Sequence, residues 1–168
     1  MPVTVAAWSL THSVTYVTDN VLRSLKEIIR QSGLDPRKIT DQWAVLHRGI
    51  KTWMESGHLE RIVLEVYGPA APNDALGRWD VEISYAYSDS DGLFWTDTDA
   101  IRYAILKAGV YPKDALYDIK VTTKLGRPAV DGWVSTTLRS TSGMIEQRIG
   151  TAIEARGLSG GLSYYRRP

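Results

Sequence analysis

RWDVEISYAY, residues 78–87, sets Trp79, Val81, Ile83, Tyr85 and Tyr87 at every second position, with mostly small or polar residues between them. A period of two is the mark of a strand with one buried face. RIVLEVY, residues 61–67, repeats the pattern with Ile62, Leu64 and Val66. Residues 68–77 between them hold two prolines, an Asn and an Asp, and read as a somewhat long hairpin loop.

Two such strands need a cover, and the chain ahead of them supplies it. Val14, Val17, Val21, Leu25 and Ile28 recur at three- and four-residue steps, predicting a helix over 11–33 that Gly33 and Asp35-Pro36 stop. Ile39, Trp43, Leu46, Ile50 and Trp53 predict a second over 40–56, capped by Thr40 or Asp41 and ended by Gly57. After the strands comes a polar turn, 88–92, and then a third helix. Its start matches a capping box of Thr96 and Asp99, and Ile101, Ala104, Ile105 and Ala108 form its stripe. A third strand follows over 115–124, with Tyr117, Ile119 and Val121 on one face.

The last 44 residues change character. Gly126, Pro128 and Asp131-Gly132 are turn material, and 133–139 read as extended. Residues 144–154 allow a helix by the spacing of Met144, Ile145, Ile149 and Ile153, or a strand by their β-branched residues and Gly150. Residues 162–166 suit a short final strand. Helices do not alternate regularly with strands, so the expected class is α+β, with helices on one face of a mostly antiparallel sheet.

The 168 residues suit one domain. With no cysteine, disulfides and thiolate chemistry are excluded. Neither a basic leader nor a long apolar run is readable, so the expectation is a cytoplasmic protein without a membrane partner. A net charge of +1 provides no basic field for nucleic acid; Arg156, Arg166 and Arg167 allow at most weak contact, or contact within a complex. His12, His47 and His58 lack metal-ligand spacing, so no metal is expected. Asp89, Asp91, Gly92, Asp97 and Asp99 suggest a calcium loop, but the Glu after the glycine is missing and a solvated turn with a helix cap fits better. No nucleophile motif and no phosphate loop occurs, and no carboxylate pair is singled out, so neither catalysis nor a cofactor is expected. Trp43, Trp53 and Trp79 lie on apolar stripes and read as core. Trp133 stands in a polar, turn-rich segment, where a large aromatic anchors the chain to something.

Eight short stretches, in order, resemble one family: THSVTYVTDN (11–20), SGLDP (32–36), GIKTW (49–53), RWD (78–80), FWTDT (94–98), KAG (107–109), GRP (126–128) and RST (139–141). They are similar to bacterial HORMA-domain proteins encoded beside cGAS-like nucleotidyltransferases in CBASS antiphage operons. The resemblance implies a HORMA fold: three helices packed on a three-stranded antiparallel sheet, with a mobile C-terminal safety belt. It implies a single domain over 1–168, with a core at 11–124 and a belt at 125–168 whose removal leaves the core folded. A closure-motif peptide would add to the edge strand at Tyr117, Asp118, Ile119, Lys120, Val121, Thr122 and Thr123, with Lys120 and Lys124 as charges protecting that edge when empty. The belt would act through Gly126, Pro128, Trp133, Val134, Arg139, Tyr164 and Tyr165. The closed form would bind and activate a cGAS/DncV-like nucleotidyltransferase, and a AAA+ remodelling ATPase would open it by pulling Val3, Thr4 and Val5. The alternative is an assembly adaptor that self-associates by strand addition through a terminus.

Overall fold

The computed structural model describes residues 2–4, 9–85 and 93–168. Val5 of the N-terminal segment and the polar turn 88–92, with Asp89, Asp91 and Gly92, lie outside the described residues.

Helix α1 (Leu10–Gln31) buries the expected stripe completely: Val14, Val17, Val21, Leu25 and Ile28 are all 0 % exposed. It stops at Gly33, whose φ of +84° is open to glycine and costly for other residues. The expected second helix is two, α2 (Arg37–Asp41) and α3 (Trp43–Glu55), divided at Gln42. Helical structure therefore starts three residues earlier than the apolar spacing implies. Pro36, with φ −76°, already lies in helical geometry and leads the chain into α2. Ile39, Leu46, Ile50 and Trp53 face the core.

Among the described residues the sheet has six strands in the order β3-β5-β6-β2-β1-β4. β1 (Leu59–Gly68) pairs antiparallel with β2 (Ala71–Tyr85), setting Leu64 opposite Trp79 and Ile62 opposite Val81. The connection is Pro69-Ala70, far tighter than the expected loop. Pro72 and its neighbours are strand after all. Two register irregularities beside Tyr67 absorb the misfit, and β6 does not reach this part of β2, so no ladder donor is required of Pro72 on that side.

β3 (Trp95–Thr96) leads into α4 (Thr98–Ala108). The cap is Asp97, not Thr96: Asp97 Oδ1 accepts the Ala100 N–H at 2.9 Å. Thr96 is held in the sheet opposite Ile153, with its hydroxyl 3.0 Å from that of Tyr16. β4 (Leu116–Thr123) matches the expected third strand.

The ambiguous stretch is strand. β5 (Ile145–Ala155) and β6 (Leu158–Arg166) form a hairpin around Arg156-Gly157, and β6 pairs along β2. Ala152, Ile153, Ala155, Leu158, Leu162 and Tyr164 are 2–4 % exposed, and the Tyr164 ring lies 4.8 Å from that of Trp79. Among the described residues the helices number four because the second is divided at Gln42, and the strands exceed three because short β3 and the end of the belt, β5 and β6, join the sheet. This bears on the expectation that 11–124 folds without it: residues 145–166 cover one side of β2 and supply a share of the core. Among the described residues no helix is long and apolar enough to cross a membrane.

Candidate peptide-binding edge and its belt

Among the described residues β4 is the terminal strand of the sheet and pairs with β1 alone, with Tyr117 opposite Val66, Ile119 opposite Leu64 and Val121 opposite Ile62. Two hydrogen bonds fix which backbone groups point outward. The Lys124 N–H donates inward to His58 O at 2.8 Å, and the Tyr117 carbonyl accepts from Lys38 Nζ of α2 at 2.7 Å. Antiparallel residues alternately turn both polar groups toward or away from the neighbour. The outward set is therefore Tyr117, Ile119, Val121 and Thr123. Lys38 occupies the first carbonyl, and among the described residues no backbone bond from another strand reaches the remaining three.

The chain then curls back around this edge. Gly126, with φ +81°, turns it under α3. There the Arg127 guanidinium lies 4.8 Å from the Trp53 ring centroid, and Trp53 Nε1 donates to Pro128 O at 2.7 Å. Trp133 Nε1 donates to Val45 O at 2.9 Å, and its ring meets Trp53 edge-on at 5.0 Å. The indole lies directly on Gly49. A Cβ there would stand 2.7 Å from Trp133 Cζ2, and closer still to Nε1 and Cε2. Beyond, Lys120 Nζ donates to Thr137 O at 2.7 Å.

Arg139 is the second anchor. Its backbone N–H donates to Glu65 Oε2 at 2.5 Å, Nη1 lies 3.0 Å from both Glu65 Oε1 and Asp118 Oδ2, and Nε donates to Pro72 O at 2.7 Å. The guanidinium also covers the Tyr67 ring at 3.8 Å. Glu65 is 0 % exposed, and Lys120 Nζ completes its neutralisation at 2.5 Å. Burial alone would raise the Asp118 pKa, but hydrogen bonds from Lys38 and Arg139 outweigh it and hold the carboxyl below its ordinary range.

Between β4 and the belt lies a cavity of about 550 Å³. Val45, Leu46 and Trp53 of α3 form one wall, Ile119, Val121 and Thr123 the strand side, and Trp133 to Thr136 the belt side. Lys38 closes the Tyr117 end and Arg127 the Thr123 end.

The structure gathers Asp118 to Thr123 with Gly126, Pro128, Trp133, Val134 and Arg139 around one edge. It does not bring Tyr164 and Tyr165 there: both are in β6, Tyr164 against Trp79 and Tyr165 with Arg78 5.1 Å from its ring centroid. The Tyr117 side chain is buried, its hydroxyl donating to Asp35 O at 2.6 Å and accepting from the Ile39 N–H at 3.2 Å. It positions α2 and does not face the cavity. Lys120 and Lys124 are not free edge charges: Lys120 is engaged with Glu65, and Lys124 stands over the Tyr85 ring at 5.7 Å. Val3 and Thr4 are exposed. Sequence reasoning missed Gly49, Lys38 and Glu65. Gly49 carried a signal, since glycine inside a helix costs about 1 kcal/mol against alanine and asks for a packing reason.

The same architecture recurs in solved structures. A chain of the mitotic checkpoint complex shares 10 % identity, with 92 % of this chain and 98 % of that one covered and a TM-score of 0.74. HTP-2 of C. elegans, bound to the HIM-3 closure motif, shares 13 %, covering 92 % of each chain, with a TM-score of 0.66. The E. coli MS115-1 CdnC:HORMA-deltaN complex contributes a chain 10 % identical, covering 99 % of this chain and 94 % of that one, with a TM-score of 0.62. At such identities the likeness concerns the fold. No curated protein sequence matches the chain. The profile of the bacterial HORMA domain 2 family matches residues 2–168, and the chain belongs to that family.

Proposed function

We propose that this protein is one HORMA domain acting as a peptide-clamping switch, without chemistry of its own. A closure-motif segment pairs as an added strand with Ile119, Val121 and Thr123, and the belt, pinned at Trp133 and Arg139, closes over it. The peptide-bound form binds and activates a cGAS-like nucleotidyltransferase in cytoplasmic CBASS defence, and a AAA+ ATPase opens it through its N-terminal segment. The carrying observation is an edge strand with unpaired outward backbone groups facing a cavity roofed by the belt. Strand addition draws affinity from such groups and specificity from alternate side-chain pockets. Support also comes from relatives of like fold, one bound to a closure motif and one in a complex with CdnC.

The test is hydrogen exchange with and without a peptide selected on the full chain. The Ile119, Val121 and Thr123 amides are expected to gain protection, and Ile119→Asp to abolish binding. Peptides that bind while leaving those amides unprotected refute the reading. Light scattering addresses the assembly alternative: concentration-dependent dimers lost on deleting residues 2–9 would favour a neighbour's terminus as the guest. Activation is read as nucleotide product formed by the partner enzyme only when peptide and this protein are both present.

A further inference from the structure

The groove's charges are unequally engaged. Lys38 is paired with Asp118 at 2.7 Å, Lys120 with Glu65, and Asp118 also with Arg139. Arg127, half-buried at the Thr123 end, has only the Trp53 ring beneath it; among the described residues it forms no ion pair. A half-buried cation on an aromatic face, aimed at a groove and lacking a counter-ion, selects for one.

The sheet register says where that counter-ion sits. Residues directly opposite across a ladder point to the same face. Ile119, Val121 and Thr123 alternate with Lys120 and Thr122, and Ile119 and Val121 lie opposite Leu64 and Ile62 on the helix side. Guest residues opposite Ile119 and Val121 therefore meet Val45, Leu46 and Trp133, an apolar wall. The guest residue opposite Thr123 shares that phase and meets Arg127. At the other end Lys38 holds the Tyr117 carbonyl, so pairing is confined to the five positions Ile119 to Thr123.

Resting on the clamp reading above, we propose that the guest is a five-residue strand of pattern acidic-x-apolar-x-apolar, counted from the Thr123 end, with Arg127 as the residue that selects the acidic side chain. An antiparallel guest carries the acid at its N-terminal end and a parallel guest carries it at its C-terminal end.

The experiment selects random octapeptides, displayed in a library, on the full chain. Wild type is expected to enrich Asp or Glu two positions from the nearer of two alternating apolar residues. Arg127→Glu is expected to enrich Lys or Arg there, and Arg127→Gln to show no charge preference while still selecting the apolar pair. With synthetic peptides differing only as Glu or Lys at that position, fluorescence anisotropy should show roughly fivefold weaker binding of the Lys form to wild type, as expected for one partly exposed charge pair. The order should reverse on Arg127→Glu. Apolar peptides selected without a charge preference, or with one that does not follow Arg127, overturn this inference and leave the clamp standing. Failure to select any peptide that Ile119→Asp excludes overturns both.

Discussion

Replacing Gly49 by alanine sets two calculable effects against each other. In an exposed helix interior the change favours the folded state by about 1 kcal/mol. Here the added Cβ stands 2.7 Å from Trp133 Cζ2 and nearer to two other indole atoms, well inside contact distance. α3 cannot retreat, because Ile50 and Met54, 0 % and 1 % exposed, already pack it against the core. The indole must leave. It then loses the Val45 hydrogen bond, worth about 1 kcal/mol, and the edge contact with Trp53, worth about another. Re-exposing part of the half-buried ring adds roughly 1 kcal/mol more. The belt anchor thus weakens by about 3 kcal/mol, or roughly a hundredfold in local opening, while global stability falls by at most about 2 kcal/mol. Hydrogen exchange on 127–139 reads the first quantity and urea unfolding the second. A double-mutant cycle completes the argument: once Trp133→Ala is present, Gly49→Ala should stabilise by about 1 kcal/mol. Unchanged belt protection in Gly49→Ala, or a cycle that is additive, would show that Trp133 is not seated on that glycine.

Glu65→Gln removes the charge that Arg139 and Lys120 share at a site 0 % exposed, and urea unfolding should show a loss of about 3 kcal/mol. Since the folded Asp118 pKa lies below its unfolded value, the stability it confers is present above the ordinary carboxylate range and is lost as pH falls through the folded pKa. Exchange protection of 134–139 should therefore drop in that acid window, and Asp118→Asn should remove the step. Burial pushes the Tyr111 phenol up to about 12, against a Trp79 hydrogen bond that acts to lower it, so its contribution is complete below pH 10.0 and is lost as pH rises through about 12. Burial also raises Tyr117 and Tyr165, so absorbance titration should show a late tyrosine group from which Tyr111→Phe removes one member. Truncation after residue 144 removes β5 and β6 and should abolish cooperative unfolding in circular dichroism; a cooperative melt would contradict the packing described for Leu162 and Tyr164.

The α+β class and the first helix were legible because Val14 to Ile28 form an uninterrupted apolar stripe. The central strands were legible because Ile62 to Val66 and Trp79 to Tyr85 alternate. The edge strand and Trp133 as an anchor were legible for the same kinds of reason. What failed was any inference that depended on partners distant in sequence. Glu65 sits opposite in phase to Ile62, Leu64 and Val66, so the local pattern carries no sign of burial; Lys120 and the belt, more than 70 positions on, cover it. Residues 144–154 were undecidable locally because a strand that borrows its register from β6 and carries two irregularities, beside Gly150 and Ala152, has no clean period. Pro69 and Pro72 misdirected the hairpin, since a proline penalty disappears where no neighbour requires its N–H.

The two halves of the belt differ in what holds them, and this bears on how a clamp of this kind can operate. Residues 125–144 are fixed mainly by side-chain anchors at Trp53, Trp133, Lys120 and Arg139. Losing one such anchor costs a few kcal/mol, within reach of thermal opening. Residues 145–166 contribute two full strands and six core side chains. At about 1.5–3 kcal/mol for each large buried side chain, stripping them from β2 approaches the whole 5–15 kcal/mol stability of a domain. In the proposed function, admission of a guest by local opening would therefore involve the first half alone. Displacing the second half needs either another strand to pair with or external work, and in the proposed function the ATPase is what supplies that work.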